Sequence, residues 1–181
     1  KLEKGKVQYS SMCLENGGVI DDLLVYHCGD YFMLVINASN IEKDLEWMSK
    51  NTFGDVELKN VSDEVSLLAI QGKNSLPTLQ KLTDTDLSKI EYYNFEFGKI
   101  AGIDCIISHT GYTGEKICFE IYSKTDVAQS EKLWNEIFKA GEEFNIKPIG
   151  LGARDTLRLE YAFRLYGNDM DENYKPLEAG L

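Results

Sequence analysis

Two adjacent aspartates inside an apolar run are the first residues of this chain equipped for chemistry. In Gly17-Gly18-Val19-Ile20-Asp21-Asp22-Leu23-Leu24-Val25-Tyr26, strand alternation sends the two carboxyls to opposite faces, so at least one meets the core or a cavity. Asp22 shares its parity with Ile20, Leu24 and Tyr26, and Asp21 with Val19, Leu23 and Val25, so either could be the buried one. Two carboxyls in so apolar a strand are costly, which marks them as candidates for a functional role. A strand-end aspartate can equally accept backbone N–H bonds. Glu120, between Phe119 and Ile121, is another carboxylate in an apolar strand, though alternation could turn it to solvent.

Arg154 and Arg158 lie four apart, on one face of a helix. Arg154 follows the Gly150-Leu151-Gly152 bend and so falls in the first helical turn, where the helix dipole disfavours a cation. That position calls for an anionic partner: Asp155, a buried carboxylate or a ligand. Tyr9, Tyr92, Tyr93 and Tyr112 sit at strand edges or turns, where a ring can lie against a flat heterocycle or simply pack with its hydroxyl in water.

Other patterns lead nowhere. Asp169-Met-Asp171-Glu-Asn173 has Tyr174 where a calcium loop needs glycine and Gly180 where it needs a bidentate glutamate. Gly150-x-Gly152 lacks the third glycine and the βαβ context of a dinucleotide site. His27 and His109 are isolated at strand ends, and no metal site is expected. Cys13, Cys28, Cys105 and Cys118 form no C-x-x-C pair and read as reduced, mostly buried thiols of a reducing compartment.

These residues need a scaffold. Val7–Cys13 alternates as a strand, and 17–27 and 30–37 read as a hairpin linked by Cys28-Gly29. Asn40 is placed to cap a helix over 41–51 whose inner face is Ile41, Leu45 and Met48. Strands are expected at 56–58 and 65–71. A short helix follows, with Ser75 as cap, Pro77 in the first turn, and Leu76, Leu79 and Leu82 inward. Strands over 99–109 and 117–122 flank the Gly-rich turn TGYTGE. The clearest helix runs over 126–140, capped by Thr125, striped by Val127, Leu133, Trp134, Ile137 and Phe138, and ended by Gly141; a last helix covers about 153–162. Strands cluster in hairpins rather than βαβ units, which predicts an α+β fold with antiparallel sheets and packed helices.

The 181 residues suffice for one large domain or two small ones, and 43% hydrophobic content can fill a core. A net charge of −11 argues against nucleic-acid binding, which needs clustered Lys and Arg. No apolar run approaches bilayer-spanning length, and no signal peptide opens the chain.

Four segments stand in one order and spacing: GGVIDDLLVY, LVINASNIEKDLEWM, SHTGYTGE followed by FE, and GLGARDTLRLEYAFRLYGNDMDENYKPLEAGL. Together they resemble the T-protein family of the glycine cleavage system, the tetrahydrofolate-dependent aminomethyltransferases, from about Gly5 to Leu181. The resemblance implies transfer of a one-carbon unit from an aminomethyl-lipoyl arm of the H-protein to tetrahydrofolate, with release of ammonia and formation of 5,10-methylenetetrahydrofolate. It implies residence in a bacterial cytoplasm, or in the mitochondrion of a eukaryote. It implies that the chain is a central fragment, with an N-terminal segment and a C-terminal domain absent and little activity of its own. Residues 1–65 are then the strand-rich part of one incomplete folate-binding subdomain, and 66–181 a second with a returning C-terminal segment.

By motif, Asp22 matches the acid beside the folate N10, where it activates that amine or manages the proton as ammonia leaves. Glu120 matches the carboxylate that bonds the pterin, whose amino-pyrimidinone edge presents adjacent donors. Arg154 matches a folate-contacting arginine, and Tyr9, Asn37, Tyr92 and Tyr112 match pocket positions. His109 stands where the family usually has Arg, and Lys116-Ile117-Cys118 is one residue longer than the usual Asp-Gly. The competing reading is a related folate-binding module, as in sarcosine and dimethylglycine dehydrogenases or in folate proteins of iron–sulfur assembly and tRNA modification, with no need for the H-protein.

Overall fold

In the computed structural model, which describes residues 1–181, the strands form two antiparallel sheets accompanied by four α-helices. This is the α+β architecture the hairpin clustering predicts. The chain divides into two compact units, residues 1–60 with 164–181, and residues 61–163.

The first unit is built around β1 (Val7–Cys13), β2 (Val19–His27) and β3 (Phe32–Val35), in the order β1-β2-β3. β2 is the central strand, and its apolar run is nearly continuous because both of its faces are covered: Val19, Ile20, Leu23 and Tyr26 are all buried. The turn into β3 spans residues 28–31 and is closed by a bond from the Cys28 N–H to the Tyr31 carbonyl. Helix α1 (Ile41–Asn51) follows.

The 164–181 segment returns to this unit. The Val19 N–H donates to the carbonyls of Asp171 (3.1 Å) and Tyr174 (3.0 Å). Gly18 makes the approach possible, because a Cβ there would overlap the backbone carbonyl of Glu172. Val19, Met170 and Ala179 form a small core beside Tyr166.

The second unit holds β4 (Ser66–Gln71), β5 (Phe95–Ile100), β6 (Ile103–Ser108) and β7 (Cys118–Ser123), in the order β4-β7-β6-β5. Helices α2 (Ser75–Gln80) and α3 (Val127–Gly141) belong to the same core, in which Ile70, Leu79, Ile107, Phe119, Ile121, Leu133 and Ile137 are buried. Leu76 and Leu82 pack against it as the spacing predicts. Helix α4 spans Leu151–Glu160. Cys28, Cys105 and Cys118 are buried, Cys13 is half-buried, and all four are free thiols. No helix is long and apolar enough to cross a membrane.

Several local expectations are corrected. The single strand expected over 99–109 is a hairpin: Ile100 pairs with Ile103, and Ala101 (φ 51) and Gly102 (φ 82) turn the chain between them. Both turn residues have positive φ, as a two-residue turn with the twist of its strands requires, and alanine does not announce it. Residues 56–58 form no strand and Val56 is exposed. Asp126, not Thr125, caps α3, its carboxylate accepting from the Gln129 N–H at 2.8 Å. Thr125 instead bonds Ser130, and Val127 faces solvent. Ser75 lies inside α2 and donates to the Ile117 carbonyl. Asn40 does not cap α1; its amide is spent on Asp21.

Candidate functional site

The residues expected to do chemistry form two groups, one in each unit. The first is centred on Asp21 and Asp22 of β2. Asp21 is completely buried, and Asp22 is partly so. Alternation alone left the choice open. Asp21 is stable there because three N–H groups donate to it: the Asn37 backbone N–H at 3.2 Å, the Asn37 amide at 2.8 Å and the Asn40 amide at 3.0 Å. Three such bonds satisfy a buried anion.

The Asn37 amide also donates to Asp22, at 2.9 Å to Oδ1. The Tyr9 side chain hydrogen-bonds to the same carboxyl from the neighbouring strand. Burial nevertheless raises the proton affinity of Asp22 above that of an ordinary aspartate. The Tyr9 and Asn37 bonds work against that rise, and the Asp21 charge adds to it. Asp22 is thus a carboxyl displaced toward the range in which it can both take and give a proton. Tyr9 and Asn37, both named from sequence, meet Asp22 here.

The second group is centred on Glu120, on the internal strand β7, opposite Ala69 of β4 and Ser108 of β6. The side chain does not turn to solvent. Thr110 donates to Oε2, Tyr122 donates to the same oxygen at 3.3 Å, and Ser108 bonds Thr110 at 2.9 Å. Oε1 is left to accept from a further donor. Burial raises the proton affinity of Glu120, while Thr110, Tyr122 and then the Arg154 charge lower it. The cation that the first turn of α4 disfavours therefore has a carboxylate to act on.

Arg154 lies with its guanidinium 4.2 Å from the centroid of the Tyr112 ring, an exposed cation on an aromatic face. Arg158, one turn later, has a different fate: it is buried, paired with Asp155 at 2.7 Å and bonded to the Phe163 carbonyl at 3.0 Å. Tyr112 is held by its N–H on the Gln71 side-chain oxygen (3.0 Å) and stacks near Phe163. Tyr92 is half-exposed and edge-on to His109, with centroids 5.5 Å apart. Burial first, and then the charges of Cys118 and Glu120, raise the proton affinity of its phenol. His109 stacks on Phe119, and its ring nitrogens face the carbonyls of Ile90 and Lys116, so it is a structural residue at the mouth of the TGYTGE turn.

Sequence reasoning missed Asn40 and Asp44 in the first group and Thr110 and Tyr122 in the second. Asp44 was visible: it shares the helical face of Ile41 and Met48, where an acid has no reason to be unless it meets something polar. The hydroxyls carried no such signal.

With this geometry in hand, comparison with known proteins is direct. Residues 1–181 match the family model described as the GCVT N-terminal domain. An aminomethyltransferase of Flavobacterium psychrophilum is 52% identical over 183 residues, covering 100% of this chain and 50% of the relative. One from Bacteroides thetaiotaomicron is 55% identical over 183 residues, covering 99% of this chain and 50% of that one. The crystal structure of glycine cleavage system aminomethyltransferase T from Bartonella henselae superposes with a TM-score of 0.81 at 29% identity, covering 97% of this chain and 46% of that one. The chain spans about half the length of the curated relatives it matches.

Proposed function

The chain belongs to the GCVT N-terminal domain family, and from that membership we propose that it is the folate-handling part of an aminomethyltransferase of the glycine cleavage system. The substrates are an aminomethyl group on the lipoyl arm of an H-protein and tetrahydrofolate. Tetrahydrofolate supplies the two amine nitrogens that accept the one-carbon unit. Those nitrogens lose two protons, the C–S bond returns a thiol, and the C–N bond releases ammonia, so the protons are conserved among the products. The chain's task is to hold the acceptor and to move a proton at one amine.

The observation that carries this reading is Asp22. It is a partly buried carboxyl oriented by Asn37 and Tyr9, with its proton affinity raised by burial. A carboxyl that holds its proton more tightly than an ordinary aspartate is a better partner for taking a proton from an amine and returning it to a departing one.

The donor set suits the acceptor. Glu120 keeps Oε1 for an incoming donor while Thr110 and Tyr122 hold Oε2, and a pterin edge presents adjacent donors that a carboxylate can accept. Tyr112 and Tyr92 offer rings to flat groups, and the Arg154 guanidinium offers a cation for the negative end of a folate. Catalysis is assigned to Asp22, and binding to Glu120, Arg154, Tyr112, Tyr9, Tyr92 and Asn37. The relatives above are bacterial, and a bacterial cytoplasm is the compartment we assign.

The test uses a polypeptide of the relatives' full length that carries these residues. Isothermal calorimetry with tetrahydrofolate should show binding that weakens in Glu120→Gln, and transfer from aminomethyl-lipoyl H-protein should collapse in Asp22→Asn. Folate binding without any H-protein-dependent transfer would instead identify a folate module of the dehydrogenase type. No folate binding would overturn the assignment.

A further inference from the structure

Helix α1 brings to the first unit a carboxyl that the reaction above has not used. Asp44 is fully enclosed, and neither of its oxygens meets an N–H or O–H donor. A bare charge in such a place is among the costliest features a fold can hold. The first turn of α1 lies against β2 here, since Asn40 donates to Asp21 and Lys43 to the Ile20 carbonyl, and the Asp44 carboxyl acts on that of Asp21; two neighbouring buried carboxyls are relieved by a proton on one of them.

The proton belongs to Asp44. The Asp21 oxygens already accept from the Asn37 backbone, the Asn37 amide and the Asn40 amide, whereas those of Asp44 meet no donor. Burial, followed by the bond to Asp21 and its charge, pushes Asp44 up to about 8. The remaining groups around it leave that order intact. Asp22 of β2 adds to the rise. Lys43 of α1 opposes it, but its ammonium is engaged by the Ile20 carbonyl and by the Tyr166 hydroxyl of the C-terminal segment. Tyr9 of β1 is directed to Asp22.

The pair is wired to Asp22 through one nitrogen. The Asn37 amide is 2.8 Å from Asp21 Oδ1 and 2.9 Å from Asp22 Oδ1. We propose that Asp44 is a positioning residue for the transfer reaction: its proton, lent to Asp21, leaves one negative charge instead of two behind Asp22 and keeps Asn37 fixed on the catalytic carboxyl. This rests on the aminomethyltransferase reading for its role, but not for the proton itself. Loss of the Asp44 proton would put a second anion beside Asp22 and tighten Asp22's hold on its own proton.

The two parts are read separately. The proton is read by melting the wild type and Asp44→Asn across pH. Because the folded value of about 8 exceeds the ordinary 3.8, the folded wild type takes up a proton in that window. Its stability therefore falls as pH rises from about 4 to about 8, a loss that Asp44→Asn lacks. The Tm difference should move steadily in favour of the variant across that range and level off above it. A difference that does not change with pH overturns the shared proton, whatever the activity.

The role is read in transfer kinetics. Asp44→Asn keeps a neutral donor, so kcat at neutral pH should stay within about threefold while the fall in rate near pH 8 disappears. Asp44→Ala leaves Asp21 and Asn37 unsupported, so kcat should drop by about tenfold to a hundredfold with folate KM unchanged. Identical kcat and pH profiles in all three proteins overturn the positioning role. Absence of transfer in the wild type overturns the parent reading instead, and the melting comparison still decides where the proton lies.

Discussion

Asp22 and Glu120 are both carboxyls on internal strands of antiparallel sheets, and burial raises the proton affinity of both. Their neighbours differ. Behind Asp22 stands the Asp21 charge, which adds to desolvation and favours a proton. Beside Glu120 stand two hydroxyl donors and the Arg154 cation, all of which favour the anion. Desolvation and hydrogen bonding act with the same signs at both sites, Tyr9 and Asn37 opposing the rise at Asp22 as Thr110 and Tyr122 do at Glu120; what differs is the sign of the neighbouring charge. In the first unit the neighbouring charge favours a proton on Asp22, and in the second it favours the Glu120 anion.

The sharpest way to break that contrast is to neutralise each carboxyl without changing its shape. Asp22→Asn should lower kcat by about 10²–10⁴, the range lost with a positioned acid–base group, while folate KM moves only a few-fold. Glu120→Gln should do the reverse. Loss of a charged hydrogen-bond acceptor costs about 1.5–3 kcal/mol, or roughly 10- to 100-fold in folate affinity, with kcat at saturation much less affected. Steady-state kinetics on both variants separates the outcomes. If Asp22→Asn weakens binding and turnover equally, Asp22 is a ligand contact and the contrast collapses.

A smaller effect sharpens the Glu120 side. Its hydroxyl partners bond the charged form and so lower its proton affinity. Folate binding should weaken as pH falls through the raised Glu120 value, since the protonated acid has one fewer lone pair to offer. Tyr122→Phe removes a neutral bond, worth about 1 kcal/mol. It should shift that acidic limb to higher pH, as calorimetry at a series of pH values would show. A shift to lower pH would mean that the phenol favours the protonated acid.

The contrast was only half legible in the sequence. Periodicity found β1, β2, α1 and α3, because these elements carry long apolar patterns that one face must bury. It also marked Asp21-Asp22 and Glu120 as acids out of place. It could not say which aspartate is buried, because β2 is central and both faces are covered, so alternation loses its meaning. The hairpin over 95–108 was hidden by an Ala-Gly turn whose positive φ at Ala101 breaks the usual residue preference. The return of 164–181 to the first unit depends on long-range bonds from the Val19 N–H to a distant loop, and no local pattern encodes those. Thr110 and Tyr122 acquire their role only when β6 and β7 pair and the turn after β6 carries Thr110 over Glu120.

Arg154 offers the finest discrimination, because charge and shape can be separated there. Its guanidinium lies on the Tyr112 ring with no carboxylate bonded to it, whereas Arg158 is committed to Asp155. If Arg154 acts on Glu120 and a ligand purely as a charge, Arg154→Lys should bind folate as the wild type does. If the planar group matters through its stacking on Tyr112, lysine cannot replace it. An exposed cation–π contact is worth about 0.5–1 kcal/mol, so Arg154→Lys should weaken folate binding by roughly two- to fivefold, and Arg154→Ala by more, since the charge is lost as well. Equal affinities for wild type and Arg154→Lys would reduce Arg154 to a point charge near Glu120. Equal affinities for Lys and Ala would place its whole contribution in the stack, leaving the two hydroxyls alone to keep Glu120 an anion.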